Sequence, residues 1–304
     1  MLDSAPVLTL RDLDHWSSAG TSLAVLGQPI KHSISPALHH AALAKMAEQD
    51  PRYGAWQYFR FEVAPADLPK ALALLHEKQF RGLNLTVPHK VLAVDYLAAI
   101  DPAARKIGAV NTLLWTERGW FGHNTDGYGL ATGLKEDLQQ SLTGSSIILL
   151  GAGGAARGAA VECLRQKCAS LWIANRTPEN LASLLEDLQT CAEGIPVRGF
   201  APHEPPTDLP EHAIVINATS AGLRESDALP IDLRAIPKPA GVYDMIYNPP
   251  KTPLLRAAES MSIRSSNGLS MLVHQGAKAL SIWSGATVPV DAMQRAARAA
   301  LMKP

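Results

Sequence analysis

Apolar residues fall along this chain in two kinds of pattern. In one they form short unbroken runs, as at 23–26, 147–150 and 213–216, which suit strands buried on both faces of a sheet. In the other they recur every third or fourth residue, as with Leu68, Ala71, Leu72 and Leu75, which marks one stripe of a helix. On these patterns strands are predicted over 22–26, 56–63, 82–87, 147–150, 170–174, 197–200, 213–217 and 242–246. Helices are predicted over 35–49, 65–78, 127–138, 155–164, 178–188, 269–284 and 289–301. The stretch 113–121 reads as a hairpin with its turn at Arg118 and Gly119. Ser35 and Pro36 read as a helix start, a hydroxyl to cap free N–H groups and then a proline where no N–H is missed. Strand and helix alternate, so the fold class is α/β, with mostly parallel sheets covered by helices.

Length changes the picture first. A chain of 304 residues exceeds the usual size of one hydrophobic core, so two domains are expected. Lysines plus arginines number 28, as do aspartates plus glutamates, and this balance gives no global attraction to nucleic acid or an anionic membrane. The expected partner is a small molecule. Cys163, Cys168 and Cys191 are odd in number and lack CxxC spacing, which fits neither a disulfide framework nor a zinc site. The first twenty residues contain Asp3, Asp12 and Asp14 and no continuous apolar segment, unlike a signal peptide. No stretch approaches the ~20 apolar residues of a membrane span. Together these features predict a cytoplasmic protein; they do not choose between a monomer and a homodimer. His32, His39, His40, His89 and His123 show no ligand spacing with a third group on one helix, so no metal is assigned.

The run at 147–150 is followed at once by Gly151, Ala152, Gly153, Gly154 and Ala155, and then by helix-forming residues. Such a turn lets the backbone bend sharply and brings N–H groups at a helix's positive end against a pyrophosphate. Ala156 stands where the third glycine of GxGxxG would be, which the fingerprint's alanine alternative allows. Glycines also close ordinary strand-to-helix corners, but the strand before and the helix after favour a dinucleotide. A little over twenty residues on, the next strand ends at Asn175, Arg176 and Thr177. An NAD site usually presents a carboxylate there for the ribose hydroxyls. A guanidinium instead makes paired hydrogen bonds to a 2′-phosphate, which predicts NADP. Met245, alone, reads as core filling.

Polar residues also gather at the ends of the earlier strands. Alternation puts Asn84 and Thr86 on one face, Pro88 stops pairing, and Lys90 follows on a helix. A lone lysine on a helix is most often solvated. Asn111, Thr112 and the run His123 to Gly127 add two further clusters, and Asp126 opens the next helix.

These stretches in their order, GQPIKHSISP, NLTVPHK, GAVNT, HNTDG, GAGGAARG, NRT, INATSAG, YDMIYNP and NGLSMLVHQGA, resemble the shikimate dehydrogenase family from about residue 23 onward. The resemblance implies a substrate domain over 1–125, completed by 268–304, and a Rossmann NADP domain over 126–267. It implies reversible NADPH-dependent reduction of 3-dehydroshikimate to shikimate in aromatic amino-acid biosynthesis. Lys90 and Asp126 match the family's catalytic pair, and which of them takes the proton stays open, so they form one coupled unit. Ser33 and Ser35 match the hydroxyls on the substrate carboxylate. Asn84, Thr86, Asn111, Tyr247 and Gln275 match groups on the substrate body. Gly151, Ala152, Gly153, Gly154, Ala155, Asn175, Arg176, Thr177, Thr219, Met245 and Gly268 match the cofactor site. Two departures stand out: Asn180 replaces a second basic residue common in relatives, and Ser270 replaces a frequent glycine or proline. The alternative, a quinate/shikimate dehydrogenase using NAD, is opposed by Arg176 and by the paired Ser33 and Ser35. A catalytically silent regulator is opposed by the presence of both Lys90 and Asp126.

Overall fold

The computed structural model describes residues 6–302. The chain forms two compact units, one running to Thr125 and resuming at Gln275, the other Asp126–His274.

The first unit contains β1 (Val7–Leu8), β2 (Ser22–Gly27), α1 (Ser35–Ala47), β3 (Gln57–Glu62), α2 (Leu68–Glu77), β4 (Gly82–Leu85), α3 (His89–Leu92), β5 (Ala99–Ile100), α4 (Pro102–Ile107), β6 (Thr112–Thr116) and β7 (Gly119–His123). Its sheet has the order β1-β3-β2-β4-β6-β7-β5. The first four are mutually parallel, and the hairpin β6–β7 enters antiparallel to β4. Crossover helices bury one face, where Leu26, Phe61, Leu68, Leu72, Phe80 and Leu83 form the core.

Three local features differ from the sequence expectation. Thr116 pairs with Gly119, so the hairpin turns at Glu117 and Arg118, and Gly119 begins the return strand at φ +121°. Ser35 is the first residue inside α1 rather than its cap, and Ile34 takes the cap position with no side-chain bond. The leader, which carries no periodic signal, is structured from Val7: β1 pairs parallel with β3, and Leu13 is fully buried. Trp16 packs edge-on to Phe59 at 4.8 Å and lies 5.0 Å from Phe80.

The second unit contains α5 (Asp126–Leu138), β8 (Ser146–Leu150), α6 (Gly154–Arg165), β9 (Ser170–Ala174), α7 (Pro178–Gln189), β10 (Val197–Phe200), β11 (Ile214–Asn217), β12 (Gly241–Asp244), α8 (Pro253–Ser260) and β13 (Ser265–Asn267). Its strands are all parallel in the order β10-β9-β8-β11-β12-β13. This is the doubly wound Rossmann order, whose direction reverses between β8 and β11. Burial of Ile147–Leu150 in β8, Leu171–Ala174 in β9 and Ile214–Ile216 in β11 explains why these strands read as apolar runs, while β11 and β12 end on the buried polar residues Asn217 and Asp244.

Two further helices follow, α9 (Leu269–Ser284) and α10 (Val290–Leu301). Residues of α9 from Gln275 onward belong to the first unit. There Trp283 is buried, its indole N–H donating to Leu113 O at 2.9 Å, while Arg81 Nε donates to Trp283 O at 3.0 Å. Among the described residues, no helix is long and apolar enough to cross a membrane.

Candidate active site

In the second unit a cavity of 430 Å³ opens where the strand order reverses. Its lining joins Gly151, Ala152 and Gly153 after β8, Asn175, Arg176 and Thr177 after β9, and Thr219 after β11. Gly151 has φ +111°, a conformation that L side chains rarely adopt. A Cβ on Gly153 or Gly154 would meet nothing within 4 Å. No neighbour inside the protein therefore requires glycine at these two positions, and the open space lies at the start of α6, where main-chain N–H groups lack intrahelical partners. That combination fits the pyrophosphate of a dinucleotide. Arg176 is exposed in the lining, whereas Arg157 on α6 is engaged by Asp187. The lining includes one carboxylate, Asp227, which accepts from the N–H groups of Gly222 at 2.9 Å and Arg224 at 3.1 Å. Those bonds hold its carboxyl below the usual range.

Behind Thr219 lies a buried network that the sequence does not advertise. Asn217 Oδ1 accepts from Thr219 N and Oγ1 at 3.0 and 2.7 Å, and Asn217 Nδ2 donates to Asp244 Oδ1 at 3.0 Å. Thr252 donates to Asp244 Oδ2 at 2.6 Å. Burial raises the Asp244 carboxyl above its ordinary value, against the hydrogen bonds. The network fixes the carboxyl ends of β11 and β12 and so the position of Thr219.

Gly154, Ala155, Met245, Tyr247 and Gly268 lie outside that lining. Gly268 nevertheless has a clear local reason: a Cβ there would sit 2.2 Å from Met245 O, so the main chain of Met245 is in direct contact with it. Its N–H donates to Ile246 O at 3.1 Å. Tyr247 is half-buried, and desolvation raises its phenol.

In the first unit, polar groups converge at the carboxyl end of β4 and the neighbouring end of the hairpin. Asn84, 6 % exposed, donates through Nδ2 to Asn111 O at 3.0 Å and Thr112 Oγ1 at 3.1 Å. Its Oδ1 accepts from the Tyr58 hydroxyl at 2.7 Å. Both amide hydrogens of Asn84 are thus used inside the protein. Asn111 Nδ2 donates to Thr125 Oγ1 at 3.0 Å and Gln275 Oε1 at 3.2 Å, and its Oδ1 accepts from Thr125 N at 2.8 Å. This network brings Asn84, Asn111 and Gln275 together, and it ends one residue before Asp126, the first residue of α5.

Lys90 is half-buried on α3, a helix held at two points. Val110 N donates to Lys90 O at 2.8 Å, and His89 Nε2 lies 2.9 Å from Val63 O. Thr86 follows β4, its N–H donating to Leu26 O at 3.0 Å. Ser33 and Ser35 occupy the entry to α1, with Ser35 N donating to Ser33 Oγ at 3.4 Å, which leaves the Ser33 hydroxyl proton to point elsewhere. Tyr58, absent from the sequence reading, is the hub of this half. Its hydroxyl is bonded to Ser35 as well as Asn84, and burial pushes the phenol well above 10. The available signal was the alternation of β3, which sets Tyr58, Arg60 and Glu62 on one face.

Among the described residues, no cluster of three or more His, Cys, Asp or Glu is placed to hold a metal ion.

Comparison with known proteins places both halves. The shikimate dehydrogenase substrate binding domain matches residues 25–113, the shikimate / quinate 5-dehydrogenase domain 133–224, and the shikimate 5′-dehydrogenase C-terminal domain 268–298. The shikimate dehydrogenase (NADP(+)) of Moorella thermoacetica is 40% identical over 294 residues, covering 93% of this chain and 95% of its own. That of Magnetococcus marinus is 37% identical over 277 residues, covering 91% and 95%. The crystal structure of shikimate 5-dehydrogenase from Thermus thermophilus in complex with NADP(H) and shikimate is 34% identical, with a TM-score of 0.79, over 92% of this chain and 100% of that one. Identity of this extent, running through both units and their motifs, means that the chain belongs to the shikimate dehydrogenase family.

Proposed function

We propose that this protein is an NADP-dependent shikimate dehydrogenase, reversibly reducing 3-dehydroshikimate to shikimate on the chorismate route to aromatic amino acids. The observation that carries the cofactor reading is the end of β9, where Arg176 stands in the cavity lining in place of a carboxylate. Residues 1–125 and 268–304 serve the substrate and 126–267 the cofactor, in a cytoplasmic monomer or homodimer.

NADPH, when bound, supplies the hydride that reduces the ketone. The glycine turn Gly151–Ala155 receives the pyrophosphate, Arg176 with Asn175 and Thr177 the 2′-phosphate, and Thr219, Met245 and Gly268 the remainder. Ser33 and Ser35 hold the substrate carboxylate beside the positive end of α1, Ser33 by donating its hydroxyl proton and Ser35 by turning its own from Tyr58 to the carboxylate when substrate binds. Thr86, Gln275 and Tyr247 meet the ring hydroxyls. Asn84 and Asn111, whose amides are engaged within the protein, set the shape of the site. Lys90 and Asp126 supply the proton to the new hydroxyl and take it back in the reverse direction, a task that needs a positioned acid–base group.

One assay tests the whole reading: absorbance at the reduced-nicotinamide band, with shikimate and quinate each paired with NADP and NAD. Rapid reduction of NADP by shikimate alone is expected. Preference for quinate with NAD, or no turnover in any pairing, would sink it.

A further inference from the structure

The loop before α1 rests on three side chains from one face of β3. Glu62 Oε2 accepts from Ile30 N at 3.4 Å, Arg60 Nη1 donates to Lys31 O at 2.9 Å and to Ser33 O at 3.3 Å, and Tyr58 bonds Ser35. The loop so held carries the two hydroxyls assigned above to the substrate carboxylate. Its floor therefore places a half-buried guanidinium on the main chain of Ser33 itself, with the half-buried Glu62 carboxylate at the other end of the loop, on Ile30. A neutral donor would suffice to tether two carbonyls. A guanidinium tethers them and also keeps a permanent, half-buried positive charge against the main chain of Ser33, one of the two residues assigned to the anion. Lys31 and His32 are exposed on the same loop, where solvent screens them.

We propose that Arg60 is a positioning residue of the carboxylate grip, fixing Ser33 and supplying the charge that favours an anionic substrate. This rests on the functional reading above. Arg60 acts through Ser33 and through its field, takes no part in proton or hydride transfer, and so governs substrate affinity rather than turnover.

The test compares Arg60→Gln, which keeps a donor for the carbonyls without the charge, and Arg60→Met, which keeps neither. Steady-state rates are measured on the full chain with NADP, using shikimate and its uncharged methyl ester, together with melting temperature. For Arg60→Gln the KM for shikimate should rise about tenfold, with kcat within about twofold and the ester's KM nearly unmoved. Arg60→Met should raise the shikimate KM further. Equal losses for acid and ester would show a tether with no electrostatic part and overturn the proposal, as would an unchanged KM in Arg60→Gln. Failure of the unsubstituted protein to oxidise shikimate would overturn the functional reading and this role with it. Normal wild-type turnover with unchanged variants would overturn the role alone.

Discussion

The imidazole of His39 lies flat against the phenol of Tyr58, centroids 4.1 Å apart and planes 5° from parallel. His39 is 1 % exposed, and burial, with a smaller contribution from His40, pushes its pKa down to about 3. The folded ring is therefore neutral across the range in which the unfolded chain takes up a proton. Stability is fully present above about pH 6.5 and falls as pH drops toward 3, by about 1.4 kcal/mol per pH unit for this one site. His40, His89 and His123 are shifted in the same direction by burial and steepen the same acid limb. His39→Phe preserves a ring on Tyr58 and removes one proton from the linkage. Denaturant unfolding between about pH 4 and 6 should show a slope shallower by about 1.4 kcal/mol per unit. An unaltered slope would mean that His39 titrates normally in the fold.

Lys90→Ala and Asp126→Asn should each lower kcat by ~10²–10⁴, the range for a positioned acid–base group, with little change in melting temperature. The double variant should be little worse than the worse single, since groups that act as a unit are not additive. If Lys90 were merely solvated and Asp126 merely a helix-start residue, turnover would survive and only about 1 kcal/mol of stability would be lost in the aspartate variant. Turnover numbers and melting curves for the three variants separate the accounts.

Arg176→Ala should raise the KM for NADP about tenfold or more, because a charge-assisted hydrogen bond contributes ~1.5–3 kcal/mol, while the KM for NAD hardly moves. Equal losses for the two cofactors would remove Arg176 from the phosphate site. Asn180, on the first turn of α7, gives a converse check: Asn180→Arg adds a second cation and should tighten NADP selectively.

Much of the fold could be read from the chain because its central strands are buried on both faces, leaving runs such as 147–150 and 171–174 with no polar interruption. That the glycine turn and the end of the next strand meet at one cavity was equally legible, since both are fixed by local geometry. Less of the substrate half was accessible. Tyr58 and Arg60 act across strands, on Asn84 and Ser33, and their roles depend on pairing of β3 with β2 that no local pattern reveals. Ser35 looked like a cap because serine before proline usually is one; here its hydroxyl is drawn to Tyr58 instead. The leader was opaque for another reason. Its strand has only two residues, and its anchors Leu13 and Trp16 are too few to show a period.

That leader contributes more than its length suggests. Removing residues 1–20 takes away the fully buried Leu13, about 1.5–3 kcal/mol of burial, together with the half-buried Trp16, and uncovers Phe59, Phe80 and the edge of β3. The truncated protein should melt markedly lower and self-associate, which sedimentation would reveal. A truncated chain as stable and as well dispersed as the parent would show the contacts to be dispensable.

The empty surroundings of Gly153 and Gly154 set heat resistance against growth. Replacing Gly154 by alanine meets no neighbour and lowers the chain entropy lost on folding, so the substituted protein should tolerate heat as well or slightly better, by a few tenths of a kcal/mol. The same methyl group would project into the open space at the start of α6, beside the turn proposed to receive the pyrophosphate. A library selected for thermal survival would therefore retain this substitution, and one selected for growth without aromatic amino acids would discard it.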